Sequence, residues 1–247
     1  MMRIIYLDEQ EGQIGERRYT AICGFSLPVE QLDAFRSEYY PELNRIVCRA
    51  RDPDKRLGSS LIVHKPPLIH GRDLLCEFED EVKFQILDHL FECLSHFECQ
   101  YYRLGYFNKP LDEMLGQTAS RESRLQFCLF AFWLQFGKKF GSKFMFAHEF
   151  DREGIRRGLA AVDDQIGMHY VIGESSPGNI PVDYRNFVGH FFATKLDIGC
   201  QVADVTSYIA NKKNSAQTPY GVRIGAYFDR IKDKFLVNEV ITMKYGG

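Results

Sequence analysis

Long apolar runs are missing from this chain: nowhere does it approach the roughly 18 consecutive apolar residues that a membrane-spanning helix needs. The residues after Met1 and Met2 pass straight into strand-forming sequence with no basic region or apolar leader, so the expected location is cytoplasmic, with no membrane partner. Cysteine pairing signals are missing too. The cysteines, Cys23, Cys48, Cys76, Cys93, Cys99, Cys128 and Cys200, are seven in number and include no CxxC pair. That argues against a disulfide framework or a zinc ribbon, and predicts small core residues in a reducing compartment. Neither sign of charge dominates: 31 Lys and Arg stand against 33 Asp and Glu, a net charge of -2. Bulk electrostatic attraction to nucleic acid would show as a basic domain. Local basic runs remain, at Arg45 to Arg56, at Lys138 to Lys143 and at Arg152 to Arg157, each read by default as solvated surface. No glycine-rich phosphate loop with lysine occurs, and no Ser or Cys sits in a nucleophile-elbow context, which argues against those hydrolase classes.

What is present is a folding composition: 247 residues, 45% apolar and 26% charged, with 20 Phe and 13 Tyr. Such a chain buries a substantial core, and the length fits one large domain. Strand signals fall at Ile4 to Asp8, Tyr19 to Leu27, Cys99 to Phe107, Lys143 to Asp151 and Tyr184 to Phe191. Helical spacing recurs after Pro28 through Leu32, Phe35, Tyr39 and Leu43, then over Phe78 to His96, Leu125 to Phe136, Thr194 to Lys213 and Tyr220 to Phe235. A turn is expected from Glu9 to Arg17, and exposed loop from Arg49 to Ser60. The Leu125 helix is apolar nearly all round, which predicts burial between layers or an oligomer contact, so a homodimer is one expectation. With no repeat and no linker, the pattern predicts a single α/β domain built on a mixed sheet flanked by helices.

The acids carry the chemistry. Asp8 and Glu9 end the first strand signal, where successive side chains leave on opposite faces, so at least one carboxylate points toward an apolar layer. The alternative is that the strand simply ends and both lie in a solvated turn; taken alone, the stretch favours that alternative. Glu149 and Asp151 share a face at another strand end, although Asp151 also suits the N-cap of the helix that follows. Asp204 lies at the margin of the stripe Ile198, Val202, Val205 and Ile209, where Gln201, Asp204 and Tyr208 line an adjoining row and Gly199 and Ala203 allow close packing on a sheet. His70 and Asp73 follow the Pro66 and Pro67 break. Carboxylates gathered from distant segments repel unless a divalent cation neutralises them, and hard oxygen donors suit Mg²⁺ or Mn²⁺. Two such ions would serve in-line attack on a phosphodiester, with His70 as proton shuttle or substrate contact.

The first strand ending LDE with Gly12, the central IHGRDL, the strand ending HEFD and the helix TKLDIGCQVADVTSYIAN together resemble the domain-of-unknown-function family numbered thirty-eight hundred, over Ile4 to Lys213. The resemblance implies a ribonuclease-H-like fold and a metal-dependent nuclease of bacterial origin, often associated with phage defence or mobile elements. It implies a site of Asp8 and Glu9, His70 and Asp73, Asp151, and Gln201 with Asp204. Gln10 stands where the family has Ser, the Gly is displaced to Gly12, and Thr194 and Cys200 also depart from its pattern, which loosens the loop geometry after the first strand. The functional expectation is therefore a Mg²⁺ or Mn²⁺ dependent phosphodiester hydrolase acting on RNA or DNA. In it Asp8, Glu149 or Asp151, and Asp204 hold metal, Glu9 assists and His70 moves protons. The competing expectations are a non-catalytic module that binds nucleic acid or protein, and a hydrolase of nucleotides or small phosphoesters.

Overall fold

In the computed structural model, the described residues are 1–51, 78–116, 119–139, 143–149, 152–172, 186–194, 196–215 and 217–242. The hairpin β1 (Met2–Ile14) and β2 (Arg17–Pro28) starts the sheet, with Leu7 opposite Gly24 and Ile14 opposite Arg17. The turn expected from Glu9 onward is strand instead. Gly12 pairs with Tyr19, whose ring lies where a Cβ on residue 12 would stand, so cross-strand pairing continues through Gln10 and Gly12. The chain reverses only at Gly15, whose φ of 59° is open to glycine without strain.

After β2 come α1 (Leu32–Arg51) and α2 (Asp80–Ser95). The first continues two residues past the start of the loop expected from Arg49, and buries Phe35, Tyr39, Leu43 and Val47. β3 (Gln100–Phe107) follows, then α3 (Asn108–Leu115), α4 (Arg121–Lys139), β4 (Lys143–Glu149), α5 (Glu153–Ile172), β5 (Phe187–Ala193) and α6 (Ile198–Ser215). The helix expected over Tyr220 to Phe235 is broken. It is α7 (Pro219–Ala226), capped by the Thr218 hydroxyl on the Gly221 amide, and the single turn α8 (Phe228–Ile231). An unexpected strand, β6 (Phe235–Ile241), comes next; only Val237 in it is buried, so its alternation left little signal in the sequence.

Six strands form one mixed sheet in the order β5-β4-β1-β2-β3-β6. β1, β2 and β3 are antiparallel neighbours, while β4 lies parallel to β1, β5 parallel to β4 and β6 parallel to β3. Helices flank both faces. On one, Tyr6, Phe25, Tyr101 and Ala147 pack against α1, α2, α6 and α7; on the other, Ile5, Leu7, Ile22, Phe144 and Phe146 pack against α4 and α5. α4 buries Leu125, Cys128, Leu129, Phe132 and Trp133 on the second face, and Gly154 and Gly158 of α5 let it approach α4 at Leu125 and Leu129. Among the described residues no helix is long and apolar enough to cross a membrane, and six cysteines are free.

Candidate functional site

The period of two along β1 sends Tyr6, Asp8 and Gln10 toward α6, and Ile5, Leu7 and Glu9 toward α4 and α5. On β4, Ala147 pairs with Tyr6 and lies in the same core cluster, so Glu149, two residues on, shares the α6 face with Asp8. The recorded β1–β4 pairing stops at Tyr6 and Ala147, and β4 ends at Glu149.

Helix α6 completes this face because a small residue lets it in. A Cβ on Gly199 would stand 2.2 Å from the Tyr6 ring, so only glycine permits that approach. The expected stripe Ile198, Val202, Val205 and Ile209 is buried, and Asp204 and Ser207 come to lie over Asp8. Gln201, one turn earlier, is buried. Gln10 anchors the far end by donating to the Ser207 carbonyl and accepting from the Tyr19 hydroxyl at 3.0 Å.

Asp8 is only 6% exposed, so the solvated-turn alternative is wrong for it. Burial first, and then the negative charge of Asp204, push its carboxyl up to about 7, against the opposing pull of Arg152, the Glu9 amide and the Ser207 hydroxyl. The Asp204 carboxylate, from a distant part of the chain, is therefore near enough for its charge to act on Asp8. Arg152, just before α5, supplies the compensating cation. Its Nη2 lies 3.5 Å from Asp8 Oδ1, its Nη1 3.1 Å from Glu9 Oε1 and its Nε 3.4 Å from Glu149 Oε2. Burial opposes the charge of this guanidinium, yet Asp8, Glu9 and Glu149 together raise its pKa above the usual arginine value.

Glu9 is buried as well, with a side chain 5% exposed, but on the opposite face. Its Oε1 takes Arg121 at 2.9 Å and Arg152 at 3.1 Å, while its Oε2 is buried without a hydrogen-bond partner among the described residues. Glu9 is thus separated by the sheet from the Asp8 and Asp204 pair, and reaches it only through the shared arginine. His70, Asp73 and Asp151 lie outside the described residues.

Arg152 is the residue that sequence reading passed over. It stands in a run read as solvated surface, a description that fits Arg156 and Arg157, both paired with Glu153, but not their neighbour. The available signal was its place directly after a strand ending in two acids. Arg121 and Ser207 carried no comparable mark.

Among the described residues no group of three His, Cys, Asp or Glu side chains is close enough together to hold a metal ion. The donor chemistry nevertheless fits a hard cation: Mg²⁺ needs only one or two carboxylates, with water and substrate phosphate completing its shell. Asp8 and Asp204 are two oxygen donors whose mutual repulsion such a charge would relieve. Farther along β1 and α6, past Glu11 and Asn211, a cleft of about 1170 Å³ opens, lined also by Arg17, Arg18, Phe107 and Lys109. In comparisons with known proteins, no family model matches the chain and no curated protein matches it significantly.

Proposed function

We propose that the chain is a divalent-metal-dependent nuclease of ribonuclease-H-like fold, hydrolysing phosphodiester bonds of RNA or DNA. The observation that carries this reading is the meeting of Asp8 and Asp204, two buried-face acids from opposite ends of the chain, in a place where their charges oppose one another. A divalent cation held between them would relieve that opposition. The sheet supports the fold reading: a meander of three antiparallel strands, two further strands parallel to β1, and the first acid on a central strand.

Asp8 and Asp204 are the ligands in this reading, with Glu149 beside them and Asp151 the further acid implied by the motif. A bound Mg²⁺ or Mn²⁺ supplies Lewis-acid polarisation of the phosphodiester and an activated water nucleophile. The chain's own residues do the rest. Asp8, its carboxyl pushed up to about 7, would ligate a cation as the carboxylate. Arg152 keeps Glu149 and Glu9 from adding unbalanced charge, and the Ser207 hydroxyl fixes the Asp8 carboxylate. The cleft beyond Glu11, with Arg17, Arg18 and Lys109 on its walls, gives a phosphate backbone room and cations.

One observation favours the competing class, a non-catalytic module that binds nucleic acid or protein: Arg152 already lies against three of the four carboxylates. Calorimetry with Mn²⁺ separates the two. The nuclease reading expects binding that Asp8→Asn and Asp204→Asn abolish, together with cleavage of RNA, single-stranded DNA or duplex DNA by the unaltered chain alone. Mn²⁺ binding that Asp8→Asn leaves unchanged, or no binding at all, leaves the module. Cleavage confined to nucleotides in the same screen would make the chain a small-phosphoester hydrolase.

A further inference from the structure

On the other face of β4, beneath α5, two histidines carry buried lone pairs that nothing in the proposed nuclease uses. His148 is fully buried, and its ring centre lies 5.6 Å from that of His190 on β5. Each imidazole is anchored through one nitrogen to an oxygen that can only accept. His148 Nδ1 is 3.1 Å from the Glu149 carbonyl, and His190 Nε2 is 3.0 Å from Asp163 Oδ2 on α5. In the neutral form of each ring those partners take the proton on the anchored nitrogen, which leaves the lone pair on the other. His148 Nε2 and His190 Nδ1 are both buried, and both lack a hydrogen-bond partner among the described residues.

We propose that His148 and His190 bind one borderline transition-metal ion, of the Zn²⁺ or Ni²⁺ class, through His148 Nε2 and His190 Nδ1. An imidazole that ligates metal characteristically gives its other N–H to a carboxylate or a backbone carbonyl, and this pair shows one of each. The spacing fits as well. With nitrogen–metal distances of about 2.0–2.1 Å, two imidazoles on one tetrahedral ion hold their ring centres about 5–6 Å apart. The side chain of His190 is 26% exposed, so the pair lies close to the surface although both free nitrogens are buried. Arg156 stands against the site electrostatically, but its guanidinium is paired with Glu153. The ion ties edge strand β5 to β4, and through Asp163 to α5. It is distinct in chemistry from the carboxylate pair, since nitrogen donors suit Zn²⁺ and Ni²⁺ and oxygen donors suit Mg²⁺. The two proposals therefore stand or fall separately.

The test uses the full chain without an affinity tag, titrated with Zn²⁺ by calorimetry and with Co²⁺ by visible absorption. One ion per chain is expected, with a cobalt spectrum that lacks thiolate charge-transfer bands. His190→Ala and His148→Gln weaken it at least tenfold, and Asp163→Asn about tenfold through the lost anchor. Asp8→Asn and Asp204→Asn leave it unchanged. Zn²⁺ raises the melting temperature of the parent chain but not that of His190→Ala, a readout that survives if His148→Gln folds poorly. No Zn²⁺ binding by the parent, equal binding by His190→Ala, or a thiolate band assigning the ion to cysteine would overturn the proposal.

Discussion

Asp8 and Glu9 are adjacent acids on one strand, both buried, yet the structure treats them in opposite ways. Glu9 leaves toward the apolar α4 and α5 face and meets two arginines at its rim, Arg121 and Arg152. Asp8 leaves toward α6, where the charge of a second carboxylate, Asp204, acts on it, and among the described residues it shares Arg152 with Glu9 and Glu149. The first arrangement is how a fold tolerates a buried charge. The second sets the charges of Asp8 and Asp204 against one another, and the proposed cation site rests on that difference.

The sharpest way to break the comparison is to remove the two charges separately. Asp8→Asn should lower cleavage by on the order of a thousandfold or more while the circular dichroism spectrum stays native, because a charge-stabilising group at the reacting centre is lost. Glu9→Gln should keep most of the activity. Equal losses from both would show that the sheet does not separate their roles. Next in size, Phe132→Ala on the apolar face should cost about 3–5 kcal/mol in urea denaturation through the cavity it leaves. Arg152→Ala joins the two faces; it strands Glu149 and part of Glu9 as well as Asp8. With the guanidinium 22% exposed, and Arg121 still holding Glu9, a loss of about 2–4 kcal/mol is expected.

The pH dependence distinguishes the faces without a large structural change. The Asp8 carboxyl is raised from 3.8 to about 7 in the folded protein, so the folded state binds its proton more tightly than the unfolded chain does. Its contribution to stability is complete below about pH 4 and is lost as pH rises through about 7, a decline of about 4 kcal/mol. Melts of the parent and Asp8→Asn from acid to neutral pH should converge at the acid end and diverge toward neutral, the Asn chain being the more stable there; parallel curves would place the titration elsewhere. The smallest effect expected is that of Gly199→Ala. Its methyl would press on the buried Tyr6 ring, lift the start of α6 and cost about 1–3 kcal/mol by thermal melt, with weaker Mn²⁺ binding as Asp204 moves away.

Much of the frame was legible from periodicity. The strands β2, β3 and β4, the stripe of α6 and the close approach at Gly199 follow from side-chain spacing and size, which act locally. Where local signals misled, cross-strand pairing had decided the matter. Gln10 and Gly12 are turn residues by type, yet pairing with Ala21 and Tyr19 holds them in β1; Phe235 closes a helical pattern by spacing, yet pairs with Tyr101 as the start of β6.

From the sequence alone came Glu149 at the end of a strand, the small-residue helix that presents Asp204, and an α/β architecture without long apolar runs, whereas Asp8 and Glu9 lie mid-strand because β1 runs on to Ile14. Each of the first three follows from chemistry within a few residues of itself. Which carboxylates face one another, which arginine answers them, and that His148 stands beside His190 were decided only by the sheet order β5-β4-β1-β2-β3-β6 and by the face each helix covers. Those relations join residues far apart in the chain, and local propensity carries no term for the charge that another segment will bring.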